Sequence, residues 1–424
     1  MRRTTRLMRH ELETIVEVET HLARKGTLAG AVLQGLDLTG PNCLDGQDLS
    51  GTVFLGCTFR DLEQERAFMD RGAAVFPELP GVPYQVYRKR LYTVPELLEG
   101  YDQGGYCGTL DFQIYTHYDR SRREATGPHP RESLAQHLHD YGIDDALAEL
   151  LEKRSGKGVV GVMGGHSTGR GDPYYAKVAR LAWELTRDGY LIASGGGPGI
   201  MEAANLGAWL APYADPAVLP AALDLLVSAD TFSGAHAEGT PDYLAAIQRY
   251  FACARDVVAR FELPDEADRE RFAHDGRSPG DSLAIPTWFY GHEPTNLFGS
   301  WVAKYFSNSL REDGLLAIAT AGVVYAPGSA GTLQEVFVDL AQNHYGTCAL
   351  RSPMVFLGTE VYGTLLEWIR EFVARRGKQT VYGDLIALVD EPEQAAAFVR
   401  DNPPRPAPTA TPLYELTQLV DPRQ

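Results

Sequence analysis

The sequence predicts an α/β protein built on an open, doubly wound parallel sheet with helices on both faces, preceded by an N-terminal accessory region. Three observations carry this expectation. From Val159 onward, short apolar runs rich in branched residues alternate with helical patterns, most runs beginning roughly 30 to 40 residues apart, the length of one strand-helix unit. Three glycine-rich loops each leave the carboxyl end of such a run and open a helix. The first 150 residues lack this rhythm.

Composition sets the outer limits. A chain of 424 residues with 44% hydrophobic and 22% charged residues has the balance of a globular protein, long enough for one large domain and a smaller one. No stretch approaches the roughly 20 apolar residues of a membrane span, so no membrane partner is expected. The N-terminal basic residues have no apolar segment behind them and acidic residues follow early, which fits neither a secretory signal nor a transit peptide and points to the cytoplasm. Cys43, Cys57, Cys107, Cys253 and Cys348 are scattered without a CxxC pair or a Cys/His cluster, so neither a disulfide framework nor a metal site is expected. A net charge of -17 opposes binding along a nucleic-acid backbone. A small phosphate is not excluded, because local backbone amides suffice to hold it.

The elements follow in order. Residues 1–150 form the accessory region, in which LAGAVLQGLDLTGPNCLDGQDLSGTVFLGCTF repeats Leu, Val or Phe at about five-residue spacing, like a short pentapeptide-repeat solenoid. Two or three such turns bury little, so this region is expected to pack on the main domain. Residues 151–402 form the nucleotide-binding domain, with strands expected at Gly158 to Met163, Tyr190 to Ala193, Ser282 to Pro286, Gly322 to Ala326, Pro353 to Leu357 and Leu385 to Val389. After the first strand, Asp172 as N-cap and Pro173 at the first helical position start a helix whose Val178, Leu181, Ala182 and Leu185 share one face. An insertion at about 209–281 holds a long amphipathic helix, PDYLAAIQRYFACARDVVARF, and a charged loop, ELPDEADRERFAHDGRSPGD, readable as a lid or as plain surface elaboration. The apolar segment LFGSWVAKYF reads as a helix serving a self-complementary face or the core. Residues 403–424 form a proline-rich, extended tail.

The candidate site is the set of three loops. The first offers Gly165, His166 and Ser167. The second offers Ser194, Gly195, Gly196, Gly197 and Gly199, followed by Met201 and Glu202. The third offers Pro327, Gly328, Ser329, Ala330, Gly331 and Thr332. Glycines let a ligand approach the main chain, and the amides of a helix start point at an anion. In open α/β sheets ligands sit at the carboxyl ends of the strands. A purely structural alternative exists for the third loop, since Thr332 and Glu335 have the spacing of a helix capping box. Asp172, His236, His274 and His292 fit capping or surface roles better than chemistry.

The runs VGVMGGHSTGRGDPYYAKVARLAWELTRDGYLIASGGGPGIMEAANLGA and PGSAGTLQE resemble the opening and the PGGxGTxxE signature of the Lonely Guy and lysine-decarboxylase-like family. The resemblance spans about residues 158 to 390, interrupted by the insertion, and the larger bacterial nucleotide 5′-monophosphate nucleosidases of that group are nearest in size. It implies a Rossmann-like fold, hydrolysis of nucleoside 5′-monophosphates to free base and ribose 5-phosphate without cofactor or metal, and a homodimer or higher homo-oligomer. It also implies catalytic roles for Glu335 and Arg311. Two positions depart from the pattern: Ser329 replaces a glycine, and acidic residues follow Arg311, which leaves Lys304 as a second candidate cation. A non-hydrolytic carrier or sensor that binds a nucleotide or cofactor is the alternative function.

Overall fold

The six expected strands and one further edge strand make seven parallel strands in the computed structural model, which describes residues 11–407 apart from 41–42, 125–126, 155, 214, 233–235, 237–239, 262–279 and 291–294. The strands are β1 (Val159–Met163), β2 (Leu191–Ser194), β3 (Ser282–Ala284), β4 (Trp301–Val302), β5 (Gly322–Tyr325), β6 (Met354–Leu357) and β7 (Ile386–Val389). They lie in the order β7-β6-β5-β1-β2-β3-β4. The chain therefore winds outward from β1 through β4, returns to place β5 on the other side of β1, and winds outward again. This is a Rossmann-like, doubly wound sheet, with its topological switch point between β1 and β5. The register Val323↔Gly161 and Tyr325↔Met163 aligns the carboxyl ends of the two central strands.

Strands covered on both faces need continuous apolar runs, and every residue of β1, β2, β5 and β6 is buried. The helices that matter to the site are α1 (Pro173–Arg187), α2 (Ile200–Trp209), α3 (Pro241–Arg260), α4 (Asn308–Ile318), α5 (Ala330–Tyr345) and α6 (Thr359–Arg375). Helix α1 starts as its sequence dictates: Asp172 accepts a hydrogen bond from the Tyr174 amide at 2.8 Å, and Val178, Leu181, Ala182 and Leu185 are fully buried.

The segment LFGSWVAKYF is not a helix. Gly299 and Ser300 interrupt it, Trp301–Val302 pairs with β3 as the edge strand β4, and Phe298, Val302, Ala303, Tyr305 and Phe306 are core residues. It supplies interior rather than a face for a partner. Within the insertion, a short helix at Val218–Leu226 precedes α3, while most of the expected charged loop lies outside the described residues. From the tail, Arg405–Pro406 pairs antiparallel with Leu350–Arg351, and residues 408–424 lie outside the described residues.

By contacts the chain divides into two units, Met1–Arg90 with Arg120–Ala146, and Leu91–Asp119 with Leu147–Gln424. The second holds the seven-stranded sheet. In the first, the five-residue hydrophobic spacing stacks successive turns in parallel, with Val32 paired to Val53, Val53 to Ala74 and Asp37 to Thr58. Leu33, Leu38 and Phe54 of these turns form a separate core with Phe68 of the helix Leu62–Asp70. Among the described residues, no helix is long and apolar enough to cross a membrane.

Candidate active site at the switch point

The three glycine-rich loops meet. The Gly165 amide donates to the Pro327 carbonyl at 2.9 Å, and the Ile200 amide donates to the Gly165 carbonyl at 3.1 Å, so the loop after β1 is fastened to those after β5 and β2. Glycine is required at two points of contact. Gly199 has φ +69°, and a Cβ there would lie 2.4 Å from the Gly165 oxygen; a Cβ on Gly195 would lie 2.0 Å from Nη2 of Arg311.

Within the second loop, Ser194 is used to hold the turn. Its hydroxyl donates to Asn205 Oδ1 at 2.6 Å and accepts from the Gly196 amide at 3.1 Å. The carbonyls of Gly196 and Gly197 take hydrogen bonds from the Asn296 amide and side chain. Met201 packs its sulfur against Gly195. Glu202 is wholly buried, and its carboxylate accepts from Arg170 Nε at 2.9 Å and Nη2 at 2.7 Å, from Tyr175 at 2.8 Å and from Tyr250 at 2.6 Å. Burial, and then the Glu202 charge, push both phenols well above their ordinary range, so they remain donors. Four donors fill the carboxylate, and Glu202 braces the loop from behind.

The third loop does not form the capping box that was its structural alternative. Helix α5 begins at Ala330 with Ser329 as N-cap, so Thr332 and Glu335 lie inside the helix and form no capping box. Ser329 has φ -105° and ψ -154°, an extended backbone that serine adopts without strain, and its side chain makes no cap hydrogen bond. Gly328 to Gly331 are exposed, and Ser329 makes no side-chain cap to the first turn of α5.

One turn below, Glu335 is buried beside Arg311 of α4, with Nη1 3.6 Å from Oε1. Arg311 is held from behind, donating from Nε to the Ile285 carbonyl at 2.8 Å and from Nη2 to the Gly195 carbonyl at 3.3 Å. Burial pushes the Glu335 carboxyl up to about 7 against the opposing pull of Arg311, with Glu312 adding to the rise. The acidic residue after Arg311 has a structural use: Glu312 accepts from Tyr290, Asn308 and Gln334, tying α4 to α5. The other candidate cation, Lys304, is buried in an ion pair with Asp111 at 2.7 Å and also donates to Thr295 at 2.9 Å. His166 and Ser167 are exposed on the first loop, Asp172 caps α1, His236 is exposed, and His274 and His292 lie outside the described residues.

Sequence reasoning missed two groups here. Asp339, one turn beyond Glu335 on α5, is fully buried, accepts from Tyr325 at 2.8 Å, and is pushed up to about 7 by burial. Its i, i+4 relation to Glu335 was the available signal. Arg170 was hidden in a loop run; its partner Glu202 lies across the fold, and it donates further to the carbonyls of Ala229 and Tyr250.

No family model and no curated protein matches the sequence. Among solved structures, the chain is similar to the molybdenum cofactor binding protein from the phototrophic bacterium Rippkaea orientalis, at 12% identity and TM-score 0.31, over 58% of this chain and 96% of that one. It is also similar to the Moco carrier protein from Chlamydomonas reinhardtii, at 14% identity and TM-score 0.32, over 58% of this chain and 96% of that one.

Proposed function

We propose that this chain hydrolyses the N-glycosidic bond of a nucleoside 5′-monophosphate, releasing free base and ribose 5-phosphate. The observation that carries the reading is the buried Arg311–Glu335 pair beside an uncapped helix start at the switch point. The amides of Ala330, Gly331 and Thr332, which the N-cap side chain does not use, suit the 5′-phosphate together with the Thr332 hydroxyl. Gly165 and Gly195 to Gly199 line the same carboxyl edge.

Cleavage develops positive charge on the ribose, and a carboxylate in a water-poor site stabilises it strongly. Glu335 is the group for that role. In its ionised form it accepts a proton from water as the water oxygen bonds to C1′; the C1′–N electron pair leaves with the base, which takes up a proton from solvent, and Glu335 returns its own proton to solvent. Arg311 is permanently charged, so it clamps oxygen atoms and does not move protons. The same cleft supports a second reading, a carrier or sensor that holds a nucleotide intact. The Glu335 value near 7 favours it only to the extent that the carboxyl stays protonated.

Self-association and a cytoplasmic setting belong to the same proposal. Leu333 and Phe337 of α5 and Val361 and Trp368 of α6 are exposed, and the Phe337 and Trp368 rings meet at 5.8 Å, an apolar group suited to a second copy. The test of the activity is incubation with a panel of nucleoside monophosphates and detection of ribose 5-phosphate by mass spectrometry. Release from one or more of them supports hydrolysis; binding without release supports the carrier.

A further inference from the structure

We infer that the insertion supplies the base subsite of this cleft, a pocket for a planar, amino-bearing base walled by Phe232 and Tyr250 and read by the Asp230 carboxylate. The inference rests on the nucleotide reading above and extends it to specificity. A cavity of about 180 Å³ lies where the insertion meets the first two loops, and His166, Ser167, Gly199, Asp230, Phe232 and Tyr250 all face it. Pockets that enclose a whole drug-sized ligand start near about 300 Å³, so this one suits a single ring system and not an entire nucleotide.

Its chemistry selects which end of the ligand enters. A phosphate is disfavoured because the Asp230 carboxylate lines the pocket and the first amide of α2 is already used, Ile200 donating to the Gly165 carbonyl. A base is favoured because the Phe232 and Tyr250 rings, 6.3 Å apart and inclined by 77°, present apolar surface while Asp230 presents an acceptor. Asp230 is oriented from both ends. Its Oδ1 accepts from the Gly171 amide at 2.8 Å and its carbonyl accepts from the Arg170 amide at 3.0 Å. The exocyclic amino groups of adenine, guanine or cytosine complement such an acceptor, and uracil has none.

The first loop borders the pocket and is also bonded to the third loop. His166 lines the pocket, and the preceding residue, Gly165, is bonded to Pro327 of the third loop. Arg170 lies over the Tyr250 ring at 3.3 Å while paired to Glu202 of α2, which fixes the insertion helix α3 to the helix that follows the second loop. Base specificity is thereby built on a rigid support.

Titration calorimetry on the full chain, with adenosine 5′-monophosphate, uridine 5′-monophosphate and ribose 5-phosphate as probes, tests this. The wild type is expected to bind the adenosine nucleotide more tightly than either of the others. Phe232→Ala and the milder Phe232→Leu should weaken adenosine nucleotide binding, the alanine by about tenfold, and leave ribose 5-phosphate binding unchanged, which also shows that the variants fold. Asp230→Asn should narrow the preference for the adenosine over the uridine nucleotide. If the wild type binds both nucleotide and sugar phosphate but these substitutions leave the nucleotide affinities unmoved, the base subsite is overturned and the nucleotide reading stands. If the wild type binds none of the three probes, both fall.

Discussion

Arg311 and Glu335 face one another at 3.6 Å across the switch point, an ion pair without the shorter hydrogen bond. The Arg311 nitrogens Nε and Nη2 are committed to the carbonyls of Ile285 and Gly195. The arginine is therefore fixed by the loops after β3 and β2, while the carboxylate retains lone pairs for a water or a ribose hydroxyl. Replacing Arg311 with Met should strand those two carbonyls and leave Glu335 buried without its counter-charge. Breaking such a pair costs about 3 to 5 kcal/mol of stability, measurable by urea unfolding. Any residual turnover should need a higher pH than in the wild type, because the attraction that lowers the Glu335 value is lost.

The wild-type pH profile follows from the same group. Glu335 acts as a carboxylate, so turnover should rise with pH through about 7 and then level. A rate independent of pH between about 5 and 8 would contradict this assignment.

Asp339 gives a stability counterpart. It is raised to about 7, above its unfolded value, so the folded protein binds this proton more tightly than the unfolded chain. Its contribution is complete below the unfolded value and is lost as pH rises through the folded one, at most about 4 kcal/mol. Asp339→Asn removes the charge and keeps an acceptor for Tyr325. Its melting temperature should exceed that of the wild type at about pH 8 and approach it at about pH 5; a gap that does not change with pH contradicts the buried-acid account.

Thr332 separates binding from capping. Because it lies at the third position of α5 and not at the cap, Thr332→Ala should leave the melting temperature unchanged or slightly raised, as alanine is the better helix former. Ribose 5-phosphate affinity, measured by calorimetry, should fall. A stability loss of about 1 kcal/mol with intact affinity would instead restore the capping role.

Much of this was legible in the sequence. Branched runs marked six of the seven strands, and the three glycine loops marked the edge where Gly165, Pro327 and Ile200 join. Strand β4 was not legible, because two residues carry no periodicity and the apolar run around them mimics a helix. The helix start at Ala330 was obscured by the Thr332 and Glu335 spacing, which imitates a cap three residues too late, at Thr332 in place of Ser329. Glu202 read as a ligand group because its four donors come from Arg170, Tyr175 and Tyr250, which only the fold brings together.

The central claim is that the Glu335 charge drives bond cleavage, and Glu335→Gln tests it most directly because it keeps the size of the side chain and removes the charge. Ribose 5-phosphate release by wild type and variant should be measured on the same nucleotide, alongside nucleotide affinity. The account predicts a fall in turnover of about 10²-fold or more with affinity nearly unchanged. Equal turnover by the two proteins would contradict it.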